Sequence, residues 1–258
     1  MLKHQSIKSL YVPALAEGEG VGTAYEYFAK RLVLAKWLKK RPFPQTILIA
    51  GLPEKYGSSL DFLLLAEELH AAVTIVDERP FALEKLERGL SAAQHEGWLT
   101  AVSPQLEHLP ALDQDFHVAG AFDLVISSEV LQRLSETGRK QYGAACGRLG
   151  TAVALFAPNA DNAAHANLSG LATVQLDQIR ALFTDTAPLR LEASGYIDMP
   201  PFPPGMVRSD AQREQATSGT LEAVAMWGLG YYARMEQVLP THIRRRQSHI
   251  VYGLGASP

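Results

Sequence analysis

An α/β fold on a mostly parallel sheet is what the sequence predicts, and three observations predict it. Short apolar runs at Thr46–Ala50, Val73–Val76, Phe122–Ser127 and Thr151–Ala157 have the length and hydrophobicity of strands buried on both faces. Between them, Leu60, Leu63 and Leu64, then Leu83, Leu86 and Leu90, then Tyr142, Ala145, Cys146 and Leu149 recur at helical spacing. Strand and helix therefore alternate, the pattern of a parallel sheet wrapped by helices.

Residues 1–22 read as irregular and end in the glycine-rich AEGEGVG, with Glu17 and Glu19 in a flexible acidic segment. Thr23 is suited to cap a helix, with Glu26 completing a capping box. Phe28, Leu32, Ala35 and Leu38 give that helix a buried stripe, and Pro42 and Pro44 end it. Lys30, Arg31, Lys36, Lys39, Lys40 and Arg41 read as its solvated face. The first strand stops at Gly51, and Ser58 followed by Asp61 reads as the next helix start.

The second strand ends on Asp77, and Pro80 suits the first turn of a helix. Trp98–Val102 is the expected third strand, followed by the loop SPQLEHLPALDQ. After the fourth strand a helix starts within Glu129–Leu134, and after the fifth NADNAAHANLSG reads as a polar loop. Leu176–Phe183 is helical, Leu189–Met199 holds a strand broken at Gly195, and PPFPPG follows. Residues 210–238 read as a long helical insertion and Ser248–Leu254 as the last strand. The organisation expected is a lid segment and helix over 1–45, a core over 46–160, and 161–258 completing the sheet with a cap at 200–240.

The 258 residues suffice for one full core, and 47% apolar with 20% charged is an ordinary globular balance. A net charge of −3 argues against a nucleic-acid partner. The N-terminus lacks a signal pattern and no apolar run reaches membrane-span length. The single cysteine, Cys146, excludes an internal disulfide and fits a reducing compartment, so a cytoplasmic location is expected. HExxH, zinc-ligand spacings and GxSxG are all missing, so no metal is expected and a hydrolase has no nucleophile elbow. GLPEKYGSS lacks the ending of a Walker loop, and GxGxxG is absent.

In an open α/β sheet, ligands bind outside the carboxyl ends of the strands. The loop from Gly51 to Gly57 lies at such an end, where backbone can approach a ligand closely. Asp77, closing the second strand, is placed to accept hydrogen bonds from a ribose diol. Together these indicate a nucleoside or nucleotide site.

Three stretches carry a family resemblance. VDERPFALEKL, EHLP and above all FDLVISSEVLQRL resemble the second motif, the adenine loop and the fourth-strand motif of class I S-adenosylmethionine-dependent methyltransferases of the small-molecule type. The resemblance covers residues 45–160 well. It implies a Rossmann-like, mostly parallel seven-stranded sheet with helices on both faces and a helical C-terminal insertion. It also implies S-adenosylmethionine as cofactor and a small-molecule methyl acceptor as partner; a homodimer is left open. Three features depart from the family pattern: Ile49 stands where the first motif has an acid, the turn after the first strand is the longer GLPEKYG, and Arg133 stands where a histidine is common.

On this reading Gly51 and Gly57 frame the cofactor, Leu52 and Tyr56 line the same cleft, and Asp77 holds the ribose, with Glu78 and Arg79 either flanking the adenine or facing solvent. Gln105, Leu106 and Glu107 occupy the adenine-loop position, and Ser127 and Ser128 offer backbone carbonyls to the methionine ammonium. Methyl transfer needs alignment in a dry cleft, and a base only where the acceptor must lose a proton. Candidates for that base are His165, Tyr25 and Tyr27, and Asn159 and Asn162 are candidates to orient an acceptor. The alternatives are a Rossmann-like binding or regulatory module without catalysis, motivated by Ile49 and the stretched first loop, and, more weakly, an NAD(P)-dependent oxidoreductase.

Overall fold

The computed structural model describes residues 6–54, 58–185, 189–201 and 220–257, with side chains in the last of these from 226 onward. Tyr56, Gly57 and the insertion from 202 to 219 lie outside the described residues. The chain runs α1 (Ile7–Ala16), α2 (Val21–Leu38), β1 (Thr46–Ala50), α3 (Leu60–Leu69), β2 (Ala72–Asp77), α4 (Pro80–His95), β3 (Gln105–His108) and β4 (Leu124–Ser128). It continues through α5 (Glu136–Leu149), β5 (Ala152–Pro158), α6 (Ala163–Ser169), α7 (Leu176–Thr184), β6 (Arg190–Ile197), α8 (Thr220–Glu236), α9 (Thr241–Gln247) and β7 (Ile250–Ala256). The seven strands form one sheet in the order β3-β2-β1-β4-β5-β7-β6. Strands β1 to β5 pair in parallel, and β7 enters antiparallel between β5 and β6.

Side chains alternate across the strands, so each face of the sheet builds its own core. Ile47, Ile49, Ile75, Leu124, Ile126 and Phe156 pack with α1 to α4 on one face. Leu48, Ala50, Val125, Val153 and Leu155 pack with α5 and α7 on the other. The antiparallel strand is pressed against α7. A Cβ on Gly255 would lie 2.5 Å from Phe183 Cδ1 and 2.9 Å from the Arg190 carbonyl, and one on Gly253 would lie 2.6 Å from Ile179 Cγ2.

Several local expectations are corrected. Residues 7–16 form a helix despite Pro13, because Leu10, Tyr11 and Ala14 bury against the rest of the core and Ser6 accepts from the Ser9 N–H. Helix α2 starts at Val21, before Thr23, with Gly20 as an N-cap that makes no side-chain bond. Ser59, in left-handed backbone at φ 61°, precedes α3 in place of Ser58. Trp98–Val102 is turn, and β3 instead falls on Gln105–His108, inside the expected loop. The EVLQRL segment makes only a 3-10 turn at Leu131–Arg133, and the polar loop after β5 contains α6. Strand β6 continues through Gly195, its irregularity lying between Leu191 and Ala193.

The basic run on α2 is split. Lys36, Lys39 and Lys40 face solvent, whereas Lys30 and Arg31 are buried, Arg31 pairing with Glu68. Glu17 is a structural anchor: its carboxylate accepts from the Ser58 N–H at 2.6 Å, the Leu60 N–H at 3.2 Å and the Tyr27 hydroxyl.

The tight seat of α7 on β7 gives a stability prediction. Gly255→Ala should lower the unfolding free energy by about 1–3 kcal/mol through overpacking against Phe183, read as a lower urea midpoint.

Candidate active site at the carboxyl edge of the sheet

The strand register brings Ala50, Asp77, Ser128, Pro158 and Ile197 to one edge, together with the start of the antiparallel β7. Helix α2 meets this edge through Lys30, which reaches Ser128 of β4 and Phe156 of β5. A cleft beneath it is lined by Thr23, Glu26, Lys30, Pro53, Ser59 and Glu129, among others. Lys30 donates to Ser128 Oγ at 2.8 Å and pairs with Glu26. Its Nζ lies 5.9, 5.9 and 6.0 Å from the ring centres of Tyr27, Phe62 and Phe156. Burial works against the lysine charge, but the carboxylates of Glu26, Glu129 and Asp61 hold its pKa above the ordinary value.

Glu129 follows β4 in left-handed backbone, φ 55°, an uncommon conformation for a side chain of this size. Among the described residues, its Oε2 and Ser59 Oγ are buried without a hydrogen-bond partner. Burial first, then the charge of Glu26, pushes the Glu129 carboxyl up to about 8 despite Lys30. Burial likewise pushes Asp61 up to about 7, with Lys30 opposing. One lysine thus stands among several carboxyl groups that share protons near neutral pH.

The other half of the edge is built around Asp77, whose side chain is fully buried. Its Oδ2 accepts from the Leu52 N–H at 2.7 Å, from Arg79 Nη2 at 2.9 Å and from Arg133 Nη2 at 3.3 Å. Its Oδ1 accepts from the backbone N–H and the Nε of Arg79, each at 2.8 Å. Burial raises the Asp77 pKa, but the Arg79 hydrogen bonds, the Leu52 N–H and the Arg133 charge outweigh it and keep the carboxylate ionised below its usual range. Local sequence explains the fold-back. Pro80 opens α4 as its first residue, leaving Arg79 as an extended N-cap whose guanidinium also donates to the carbonyls of Leu52 (2.7 Å) and Pro53 (3.2 Å). Arg133 further pairs with Glu78 at 3.2 Å.

Gly51 adopts φ 81°, and a Cβ there would meet Val130 at 2.7 Å, Leu112 at 2.9 Å and Arg133 Nη2 at 3.3 Å. The glycine is required by protein packing on that side.

The remaining expected residues divide. Gln105 and Glu107 are exposed on the edge strand β3, while Leu106 packs towards the core. At the carboxyl end of β3, His108 Nε2 lies 3.2 Å from the Glu78 carbonyl. Ser127 and Ser128 are buried at the end of β4. Tyr25 is buried and donates to Glu236 at 2.6 Å, and Tyr27 donates to Glu17. Burial and these acidic neighbours hold both phenols protonated. Asn159 and Asn162 tie loops together, through the Ser248 carbonyl and the His165 N–H respectively.

His165 sits on α6 with its ring stacked on His249 at 3.9 Å and 12°. His249 precedes β7, and its Nδ1 lies 3.1 Å from Asp198 Oδ2. Asp198, just after β6, is itself in left-handed backbone at φ 68°. Burial lowers the His249 pKa, but the charge and hydrogen bond of Asp198 raise it overall. Glu236 of α8 braces this corner by accepting from the Asp198 N–H at 2.8 Å and the Met199 N–H at 3.0 Å. Sequence reasoning did not single out Lys30, Glu129, Asp198 or His249. Lys30 was hidden in a basic run, and Asp198 and His249 meet only through the pairing of β6 with β7.

Solved structures that resemble this fold include methyltransferases. The magnesium protoporphyrin IX methyltransferase of Synechocystis with bound SAH is 12% identical, over 91% of this chain and 84% of that one, with a TM-score of 0.54. The methyltransferase domain of the bacterial protein CtHen1 is 14% identical over 89% and 99% of the two chains, TM-score 0.52. An S-adenosylmethionine-dependent methyltransferase from Clostridium acetobutylicum is 9% identical over 90% and 92%, TM-score 0.51. No protein-family profile matches the chain, and no curated protein matches its sequence. The chain has the fold of the class I S-adenosylmethionine-dependent methyltransferases. No described helix is long and apolar enough to cross a membrane, and no described cluster of side chains could hold a metal ion.

The two halves of the edge differ in how they suit that cofactor. The unpartnered Glu129 Oε2 and Ser59 Oγ, beside the Lys30 cation, fit a zwitterionic amino-acid end. The Asp77 half does not fit a ribose as it stands, because five internal donors already use the carboxylate.

The raised Glu129 carboxyl has a pH consequence. Between its ordinary value of 4.5 and about 8 the folded state holds more protons than the unfolded one, so Glu129 makes stability fall as pH rises through that window. Glu129→Gln should flatten the decline of the melting temperature from pH 5 to 8, within about one unit of those limits, as scanning calorimetry at stepped pH would reveal.

Proposed function

We propose that the chain is an S-adenosylmethionine-dependent methyltransferase acting on a small molecule. The observation that carries this reading is the cleft under α2 at the carboxyl ends of β1 and β4, where buried acceptors on Glu129 and Ser59 lack partners among the described residues. When bound, the cofactor supplies a methyl group already activated on a sulfonium. The chain's own task is then to bind, align and exclude water. Gly51, Leu52 and the backbone at Ser127 and Ser128 border the cofactor. Lys30, Ser59 and Glu129 hold its amino-acid end, and Asp77 is the ribose ligand once one of its internal donors gives way. Rings of Tyr27, Phe62 and Phe156 close around Lys30 and keep that end dry.

For an acceptor that must lose a proton, the His249 imidazole is the base, held in one orientation by Asp198 and flanked by His165. The tyrosines are poorly suited to that role because both hydroxyls already donate to carboxylates. The insertion between β6 and β7 begins beside Asp198 and is the natural place for acceptor specificity. A second reading, a binding module without catalysis, is favoured by the internal ligation of Asp77. An NAD(P) enzyme fits less well, since β7 runs antiparallel where the usual dinucleotide fold is parallel throughout.

Calorimetry with S-adenosylmethionine and with its demethylated product tests the reading. Saturable heat with either ligand is expected, weakened by Glu129→Ala; silence with both at millimolar ligand would leave the binding module. With acceptor supplied as a low-molecular-weight cell extract, His249→Asn should slow product formation by about a hundredfold while cofactor affinity stays unchanged. An undiminished rate would return the histidine pair to packing.

A further inference from the structure

Asp77 has about four lone-pair sites, yet five donors from Leu52, Arg79 and Arg133 converge on it. A ribose diol can reach this carboxylate only by taking the place of one of them. The Leu52 N–H is fixed by the turn after β1, since the preceding Gly51 N–H bonds to the Val76 carbonyl at 2.8 Å. Arg133 touches Asp77 at 3.3 Å and Glu78 at 3.2 Å and leaves two buried guanidinium nitrogens without partners among the described residues, but at 11% exposed it is more enclosed than Arg79 and has less room to leave. Arg79 is the displaceable group. Its side chain is 17% exposed, and among the described residues its hydrogen-bond acceptors beyond Asp77 are two loop carbonyls. Its Cζ already lies 5.6 Å from the centre of the Phe81 ring, and that residue is 65% exposed, so an outward swing can keep the cation beside the ring.

We propose that Arg79 is a built-in competitor for the nucleoside: in the free protein it occupies the ribose-binding carboxylate of Asp77, and the cofactor enters by displacing it outward. The inference rests on the methyltransferase reading above. The exchange is unfavourable for Asp77 alone, because a cationic fork is replaced by neutral hydroxyls. Apparent affinity is therefore the intrinsic affinity multiplied by the open fraction. The same competition works in reverse after turnover, since Arg79 returning to Asp77 drives the spent nucleoside out. The charges of Glu78 and Glu54 also act on Arg79 and favour its charged form.

The test is titration of the full-length protein with S-adenosylhomocysteine, comparing wild type, Arg79→Ala and Arg79→Lys. Arg79→Ala should bind about tenfold more tightly or better, with Arg79→Lys between, because a lysine keeps the charge but loses the fork. Binding by the variant where wild type is silent also supports the competitor. Wild-type binding that Arg79→Ala leaves equal or weaker overturns it while the methyltransferase reading stands. Silence in every protein overturns both. A readout that needs no variant is the Arg79 Nε–H resonance in 15N NMR. It should lose its protection from exchange on saturation with ligand; continued protection in the saturated protein overturns the proposal.

Discussion

A single buried carboxylate organises the ligand edge of this molecule. Asp77 belongs to β2, accepts from the loop that leaves β1, and is reached by an arginine from the turn after β4. Three strand ends are therefore fixed relative to one another by one charge. A carboxylate with no exposed surface is tolerable only if it is paired and fully hydrogen-bonded, and Arg79 and Arg133 meet that requirement. The group that the fold places for recognition is thus also the group that the free protein must satisfy internally. Function and stability compete for the same oxygen atoms.

The cleft under α2 follows the opposite logic. There the acids Glu26, Asp61 and Glu129 outnumber the one buried lysine, and two of them have carboxyls pushed up to about 7 and about 8. The left-handed residue at the end of β4 turns a carboxylate inward without providing it a full set of partners. Such an arrangement is poorly optimised for the isolated chain and well suited to a guest carrying both signs of charge. Within a few residues, the sheet edge combines a self-satisfied half and an unsatisfied half.

What the sequence reveals follows from what each element buries. Strands β1, β2, β4 and β5 are legible because they are covered on both faces and so read as unbroken apolar runs. Strand β3 is not, because Gln105 and Glu107 lie exposed on an edge and only Leu106 turns to the core. Helix α1 is obscured by Pro13, and its stability comes from packing on α2 rather than from its own pattern. The position of Asp77 at a strand end is readable; its partners are not, since the partner from β4 lies fifty-six residues away. Asp198 and His249 are invisible for the same reason, being joined by strand pairing across an insertion. Lys30 was misassigned because a charge within a basic stretch resembles any surface lysine until the neighbouring β-strand end is known.

Glu17 carries one more implication. Its carboxylate receives the N–H groups of Ser58 and Leu60, so the start of α3 is capped by the residue that closes α1, forty-odd positions upstream. The segment that first looked like a loose leader is therefore the clasp of the domain. A recombinant version begun downstream of it would leave the amides of Ser58 and Leu60, at the border of the cleft, without their acceptor.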